Sequence, residues 1–449
     1  MEASAFPWLE SVLAINAAIF LLHAWLDSRQ RQALRLPKPP PAVASLYTQK
    51  EFDAKRAYNV DKLQFSRVRG LCDFVLNTAL LAGGFLPWSW RLAGSAVGVL
   101  GWPSEVAQSV AWALIQGGTM LALGLPWSWY STFVLEARHG FNKTTLGTFV
   151  ADTAKSVLLG LLLLPPVVAG FTAILQRASP WVGLQLWAFL LALALFMITI
   201  YPTAIAPLFN KFMPLEEGPL RQSIESLAAS LSFPLKKLFV VDGSRRSAHS
   251  NAYQYGFSSN KRIVLYDTLL QQCSQEQVVA VLAHELGHWK LGHMPKLLVA
   301  HQLVSLAQLS LFTLVRNAPG VFESFGFAAG ERPALGAFLL FQYLVGPVDE
   351  VLGWLSNVVS RRFEFQADGF GVELGRGEQL REALIILDKE NKESCSASRG
   401  KAAFSSSFLP GQHAVGAVNV DALYSSYHHS HPPLLERLAA IDAAMEKGE

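Results

Sequence analysis

Five consecutive residues, His284-Glu285-Leu286-Gly287-His288, carry the clearest chemistry in the 449-residue chain. Residues four apart on a helix share a face, so the two imidazoles can hold one metal ion between them. Glu285 then stands beside the water that such an ion activates. Zinc lowers the pKa of a bound water to about 7, and a carboxylate can take its proton as the water attacks a peptide carbonyl. The expected cofactor is one zinc ion per chain, and the expected reaction is peptide hydrolysis with Glu285 as the base.

A catalytic zinc needs a third protein ligand and one open position. His293 follows His288 by five residues with Gly292 before it, which does not fit the H-E-x-x-H-x-x-G-x-x-H spacing, so it is read as a structural histidine. A better third ligand lies in Arg361-Arg362-Phe363-Glu364-Phe365-Gln366-Ala367-Asp368, where Glu364 and Asp368 are again four apart on one helical face. Glu364 would bind zinc. Asp368 would hydrogen-bond the distal nitrogen of a ligand histidine and fix its tautomer. The competing reading is a solvated helix with both acids paired to Arg361 and Arg362; the first motif, on the same side of the membrane, turns the balance toward the metal. A structural zinc in a transporter or scaffold would need four protein ligands, whereas the sequence offers three and a carboxylate placed as a base.

The elements that must position these groups begin with a helix over Gln275–His293. Before it, the spacing predicts a helix over Pro219–Leu231, a strand over Lys237–Asp242, and a hairpin of Asn251–Phe257 and Lys261–Tyr266 joined through Ser258-Ser259-Asn260. Asn251 opens a strand whose edge could pair with an extended peptide, although the residues by themselves favour a purely structural role. Further helices are expected over Arg361–Leu374, Gln379–Lys389 and Leu434–Met445, with a loop over Ser394–Gly416. His431, before Pro432-Pro433, could cap the last helix, and Arg437 could bind a carboxylate such as Asp368.

Around this unit the chain is strongly apolar, with 51% hydrophobic and 16% charged residues, a composition that points to a polytopic membrane protein. Seven candidate spans lie near Trp8–Trp25, Leu71–Trp90, Val106–Leu125, Val157–Leu175, Val182–Pro207, Leu297–Val315 and Leu335–Val359, each close to the length that crosses about 30 Å of hydrocarbon. The last contains Asp349 and Glu350: either it ends near Gly346, or these are functional groups facing an aqueous space. The first run lacks a basic start and a small-residue cleavage site and is read as a retained anchor. Ten Lys and Arg residues between the first two spans, from Arg29 to Arg69, belong in the cytosol by the positive-inside rule. Alternation then places Tyr130–Lys155, Leu208–Lys296 and everything after Ser360 on that side, so both halves of the metal motif meet there. The 3 cysteines, Cys72, Cys273 and Cys395, form no C-x-x-C pair and suggest neither disulfides nor a cysteine metal site. Asn142-Lys143-Thr144 is an acceptor pattern in a loop assigned to the cytosol, where it is expected to stay unmodified. A formal charge of +3 makes no case for nucleic-acid binding.

Five blocks extend beyond the metal motif to a known family. Leu125-Pro126-Trp127 through His139-Gly140-Phe141-Asn142-Lys143, then Ser247-Ala248-His249-Ser250-Asn251-Ala252-Tyr253, then His284–His293, Ser360–Asp368 and Ser430-His431-Pro432-Pro433-Leu434-Leu435-Glu436-Arg437 resemble the type I CAAX prenyl proteases over nearly the whole length. The resemblance implies integral membrane zinc endopeptidases of the endoplasmic reticulum and inner nuclear membrane. They have about seven transmembrane helices around a water-filled chamber, capped by a small α+β zinc-protease domain, in a mainly α fold. It implies removal of the last three residues from prenylated C-a-a-X proteins, which with membrane lipid are the expected partners. It also implies His284, His288 and Glu364 as ligands, Glu285 as base, and Asn251 and His431 as donors to the substrate backbone or the oxyanion. The segment between Asp267 and Gln275 is shorter than in some members, which bears on regulation more than catalysis. On this reading residues 1–207 hold spans one to five, 208–296 the protease unit with the first motif, 297–359 spans six and seven, and 360–449 the part with the third ligand. The alternative is a membrane quality-control zinc protease using the same residues.

Overall fold

The computed structural model of the chain describes residues 6–177, 179–256, 260–391 and 418–448; the expected Ser394–Gly416 loop and positions 258 and 259 of the hairpin link lie outside them. The membrane part opens with α1 (Trp8–Leu34), α2 (Gln49–Ala82), α3 (Phe85–Val99), α4 (Glu105–Tyr130), α5 (Leu146–Leu175), α6 (Val182–Ile200) and the short α7 (Ala206–Phe209). Side-chain caps set three of these starts. Thr48 and Glu51 form a reciprocal capping box at α2, while Ser104 and Thr145 accept from the first-turn backbone of α4 and α5.

The α+β unit follows: β1 (Phe212–Pro214), α8 (Pro219–Ser230), β2 (Leu235–Val241), β3 (Ala252–Tyr255), β4 (Lys261–Tyr266), α9 (Asp267–Gln272) and α10 (Gln275–Lys290). Its sheet order is β1-β2-β4-β3, with β2 and β4 parallel and the expected β3–β4 hairpin antiparallel, which leaves β3 on an edge. Two more membrane helices, α11 (His293–Val315) and α13 (Ala334–Glu373), flank the short α12 (Val321–Ser324). The chain closes with α14 (Gly377–Asn391), α15 (Ala422–His428) and α16 (Leu434–Gly448).

Six described helices are long and apolar enough to cross a membrane, and the bent pair α2–α3 makes a seventh. They form a closed ring: α1 packs on α2, α3 on α4, α4 on α5, α5 on α6, α6 on α11, α11 on α13, and α13 back on α1. Only 11–28% of each single span's most apolar stretch is buried within the chain, as expected when the outer face meets lipid and the inner face a chamber. The chain is therefore a mainly α, polytopic membrane protein with a small α+β unit. Close approach is set by small residues: a Cβ on Gly183 of α6 would lie 2.4 Å from the Leu309 carbonyl oxygen of α11.

Three features differ from expectation. The second span does not run through Leu71–Trp90; Gly83-Gly84 breaks it, Gly84 takes a left-handed φ of 69°, and α2 and α3 meet at 65°. The helix expected over Gln275–His293 stops at Lys290, because Gly292 adopts φ 66° and His293 starts α11. Residues 335–359 and 361–374 form one 40-residue helix, α13, with Pro347 inside it. At 1.5 Å per residue, Glu364 stands about 45 Å from the start of α13, beyond the thickness of the hydrocarbon core. Asp349 and Glu350 ride within this helix: Gln308 Nε2 donates to Asp349 Oδ1 at 2.6 Å, and the Tyr427 hydroxyl donates to Glu350 Oε2 at 2.7 Å.

The core of the α+β unit joins Ile224, Ile263, Leu265, Val278, Leu282, Leu384 and Ile441 with Val43 and Tyr47 from the segment between α1 and α2 and Phe52 from the start of α2. An early stretch of chain thus completes the protease core. Buried Lys55 donates to the Asp388 carboxylate, as does the Tyr47 hydroxyl, tying α2 to α14.

Candidate metal centre

α10 is capped by Ser274, whose side chain and that of Gln277 form a capping box, and its apolar face from Val278 to Leu286 is buried against the sheet and α14. This fixes the rotation of the helix and turns His284 and His288 toward α13. Gly287 allows the approach: a Cβ there would lie 3.0 Å from the Phe370 ring and 3.3 Å from Ala367 Cα.

His284 Nε2 and His288 Nε2 are 3.2 Å apart, Glu364 Oε1 is 3.2 Å from His288 Nε2, and Glu364 Oε2 is 3.6 Å from His284 Nε2. Among the described residues these three form the one His/Cys/Asp/Glu group whose ligand atoms converge. The donor set fits zinc. Four ligands about 2.0–2.1 Å from a tetrahedral ion lie roughly 3.4 Å from one another, the separation found here. Glu364 Oε2 is also buried without a hydrogen bond of acceptable geometry, as a metal-directed oxygen would be.

Asp368, one turn beyond Glu364 on α13, puts Oδ1 2.8 Å from His284 Nδ1. Arg437 of α16 donates twice to the same carboxylate, through Nε at 2.9 Å and Nη2 at 2.6 Å, and its Nη1 lies 3.7 Å from Glu364 Oε2. His284 and Asp368 are each 1% exposed. Burial pushes His284 toward its neutral, metal-binding form, against the pull of Asp368. For Arg437, burial alone would lower the pKa, but Asp368 and Glu364 outweigh it and keep the guanidinium charged.

The remaining expected residues distribute as follows. Glu285 is partly exposed on α10, and its charge reaches both His288 and Arg437. His431 joins the cluster, with Nδ1 3.0 Å from Glu364 Oε2. Asn251 stands one residue before edge strand β3, which packs on α10; its side-chain oxygen accepts from the Ala252 amide at 2.8 Å. The His139–Lys143 and Ser247–Asn251 blocks meet: Asn142 bridges Ser247, and Phe141 stacks on His249 with ring centroids 5.0 Å apart. His293, set aside on spacing, lies beside the site with Nδ1 2.9 Å from His288 Nδ1. Its signal in the sequence was Gly292, which ends α10 and redirects the chain.

Metal sites occur in soluble enzymes and in transporters alike; here the helix that delivers Glu364 is itself a membrane span. That arrangement, with H-E-x-x-H on a helix of the capping α+β unit, defines an integral-membrane metallopeptidase. Residues 214–445 match peptidase family M48, and residues 30–211 match the CAAX prenyl protease N-terminal region, described as five membrane helices. The chain is 46% identical to a CAAX prenyl protease 1 homolog of Oryza sativa subsp. japonica over 99% of its length and 100% of the relative's. It is 37% identical to the Homo sapiens CAAX prenyl protease 1 homolog, covering 96% and 94% of the two chains. The crystal structure of S. mikatae Ste24p superposes with a TM-score of 0.88 at 34% identity, over 98% of this chain and 100% of that one. The chain belongs to the CAAX prenyl proteases of peptidase family M48.

Proposed function

We propose that this protein is a zinc metalloendopeptidase that removes the C-terminal three residues from prenylated C-a-a-X proteins. The observation that carries the reading is the convergence of His284, His288 and Glu364 at 3.2–3.6 Å, backed by the buried Asp368–Arg437 pair, in a chain of this family. His284, His288 and Glu364 would hold one zinc per chain. Zinc bound by these residues would supply Lewis acidity to the attacking water and the scissile carbonyl. Glu285 takes the proton of that water and passes it to the leaving amine. His431 and Asn251 would donate to the developing oxyanion and to the substrate backbone, which β3, at the edge of the described sheet, would pair. Asp368 accepts the Nδ1 proton of His284 and keeps its Nε2 lone pair toward the metal. The prenyl chain would lie among apolar helices of the ring while the peptide reaches α10. By the distribution of Lys and Arg the protease unit would face the cytosol, and by the family likeness the membrane would be that of the endoplasmic reticulum or the inner nuclear membrane. The division at 207, 296 and 359 describes chain order, with α13 shared between the last two parts.

The test is cleavage of a farnesylated C-a-a-X peptide and of its unprenylated twin by purified detergent-solubilised protein and by Glu285→Ala, with bound zinc quantified. About one zinc per chain in both, and cleavage of the farnesylated peptide by wild type alone, is the expected result. Zinc retained with neither peptide cut by wild type would overturn the prenyl-protease assignment; cleavage indifferent to the prenyl chain would point to quality control instead.

A further inference from the structure

The two histidines of α10 are held from behind by different partners. His284 has an acid, Asp368, at its Nδ1, whereas His288 has a second imidazole, His293, with the two Nδ1 atoms 2.9 Å apart. His293 is 1% exposed, stacks on Phe363 with centroids 4.1 Å apart and planes within 3°, and turns its Nε2 to Gln366 Oε1 at 3.0 Å. Both ring nitrogens of His293 are thereby committed.

The proton positions follow from chemistry. An amide oxygen only accepts, so His293 Nε2 must donate to Gln366, and a neutral imidazole then offers Nδ1 as an acceptor. His288 must supply the proton of the Nδ1–Nδ1 contact. That leaves its Nε2 as a bare lone pair, 3.2 Å from both His284 Nε2 and Glu364 Oε1. In the reverse wiring His288 would carry its proton on Nε2 and could not bind a metal through that atom. One of the two arrangements suits a ligand, and the Gln366 oxygen selects it.

We propose that His293 is a positioning residue that fixes the tautomer and ring orientation of His288 by accepting its Nδ1 proton, with Gln366 orienting His293 in turn. This rests on the zinc reading above. It also links the metal to the membrane part, because His293 is the first residue of α11 and Gln366 lies on α13 two residues after Glu364.

The experiment measures zinc affinity of the purified full chain by chelator competition, with the melting temperature of the metal-free protein alongside, for wild type, His288→Ala, His293→Leu, His293→Gln and Phe363→Leu. His293→Leu keeps apolar bulk but cannot accept a proton, and should bind zinc about 10- to 100-fold more weakly. His293→Gln offers an amide oxygen and should stay within roughly threefold of wild type. Phe363→Leu removes the stacking alone and should keep wild-type affinity. Wild-type affinity in His293→Leu, or equal weakening in all three variants at similar metal-free stability, would overturn the proposal. Should His293→Gln not fold, His293→Leu against Phe363→Leu decides the same question. Absence of zinc from wild type, or its retention by His288→Ala, would instead refute the zinc centre itself and the proposal with it.

Discussion

Asp368→Asn perturbs the centre with almost no change in volume. The carboxylate serves two partners at once, His284 Nδ1 at 2.8 Å and the Arg437 fork at 2.6 and 2.9 Å. An amide has one accepting oxygen, and its NH2 group would confront a donor on whichever side it faces. Arg437, 4% exposed, would be left with Glu364, 3.7 Å away, as its nearby anion. Removing one partner of a buried charge pair costs about 3–5 kcal/mol. Loss of the group that orients a ligand histidine costs about 10- to 100-fold in metal affinity, or roughly 1.4–2.7 kcal/mol. Because the released guanidinium also competes with the metal for Glu364, the upper half of that range is expected. The assay is zinc competition and thermal unfolding of the metal-free protein in detergent, for Asp368→Asn, Arg437→Met and the double variant. The double variant should recover about 0.5–3 kcal/mol relative to the sum of the singles, since it no longer buries an unpaired charge. Wild-type zinc affinity in Asp368→Asn, or strict additivity of the two changes, would refute this account of the pair.

Treatment with a strong chelator should abolish cleavage of the farnesylated peptide, and about one equivalent of zinc should restore it, as read by product formation against zinc added. Gly183→Leu should lower the melting temperature clearly and disturb the α6–α11 contact, because even a Cβ at this position would lie 2.4 Å from Leu309 O and 2.6 Å from Thr313 Oγ1; an unchanged melting curve would contradict the close approach. Tyr427→Phe removes a hydrogen bond to the Glu350 carboxylate, worth about 1 kcal/mol after discounting for its partial exposure. It should speed amide exchange over residues 422–428, whose segment leads to His431.

Local periodicity made much legible from the sequence. The 3.6-residue repeat puts His284 and His288 on one face of a helix, and Glu364 and Asp368 on one face of another, whatever surrounds them. Runs of about 20 apolar residues mark membrane spans for an equally local reason: a helix in hydrocarbon satisfies its own backbone. The candidate ligands, the candidate base, the spans and the β3–β4 hairpin could therefore be read from neighbours in the chain, whereas the ring of spans comes only from the family resemblance. What the spacing could not convey was how separate segments meet. That Val43, Tyr47 and Phe52 complete the protease core is a contact across hundreds of residues that leaves no periodic trace, whereas the Arg437–Asp368 pair is already one option for Arg437 in the sequence. His293 reads as a structural histidine for a related reason: five residues past His288 is the wrong interval on a continuous helix, but Gly292 breaks that helix and brings the ring back to His288 Nδ1. The sequence determined which groups could bind and activate, because side-chain chemistry and helical pitch are local. The tertiary structure decided which nitrogen of each histidine points into the convergent group, because that depends on partners brought in by other helices.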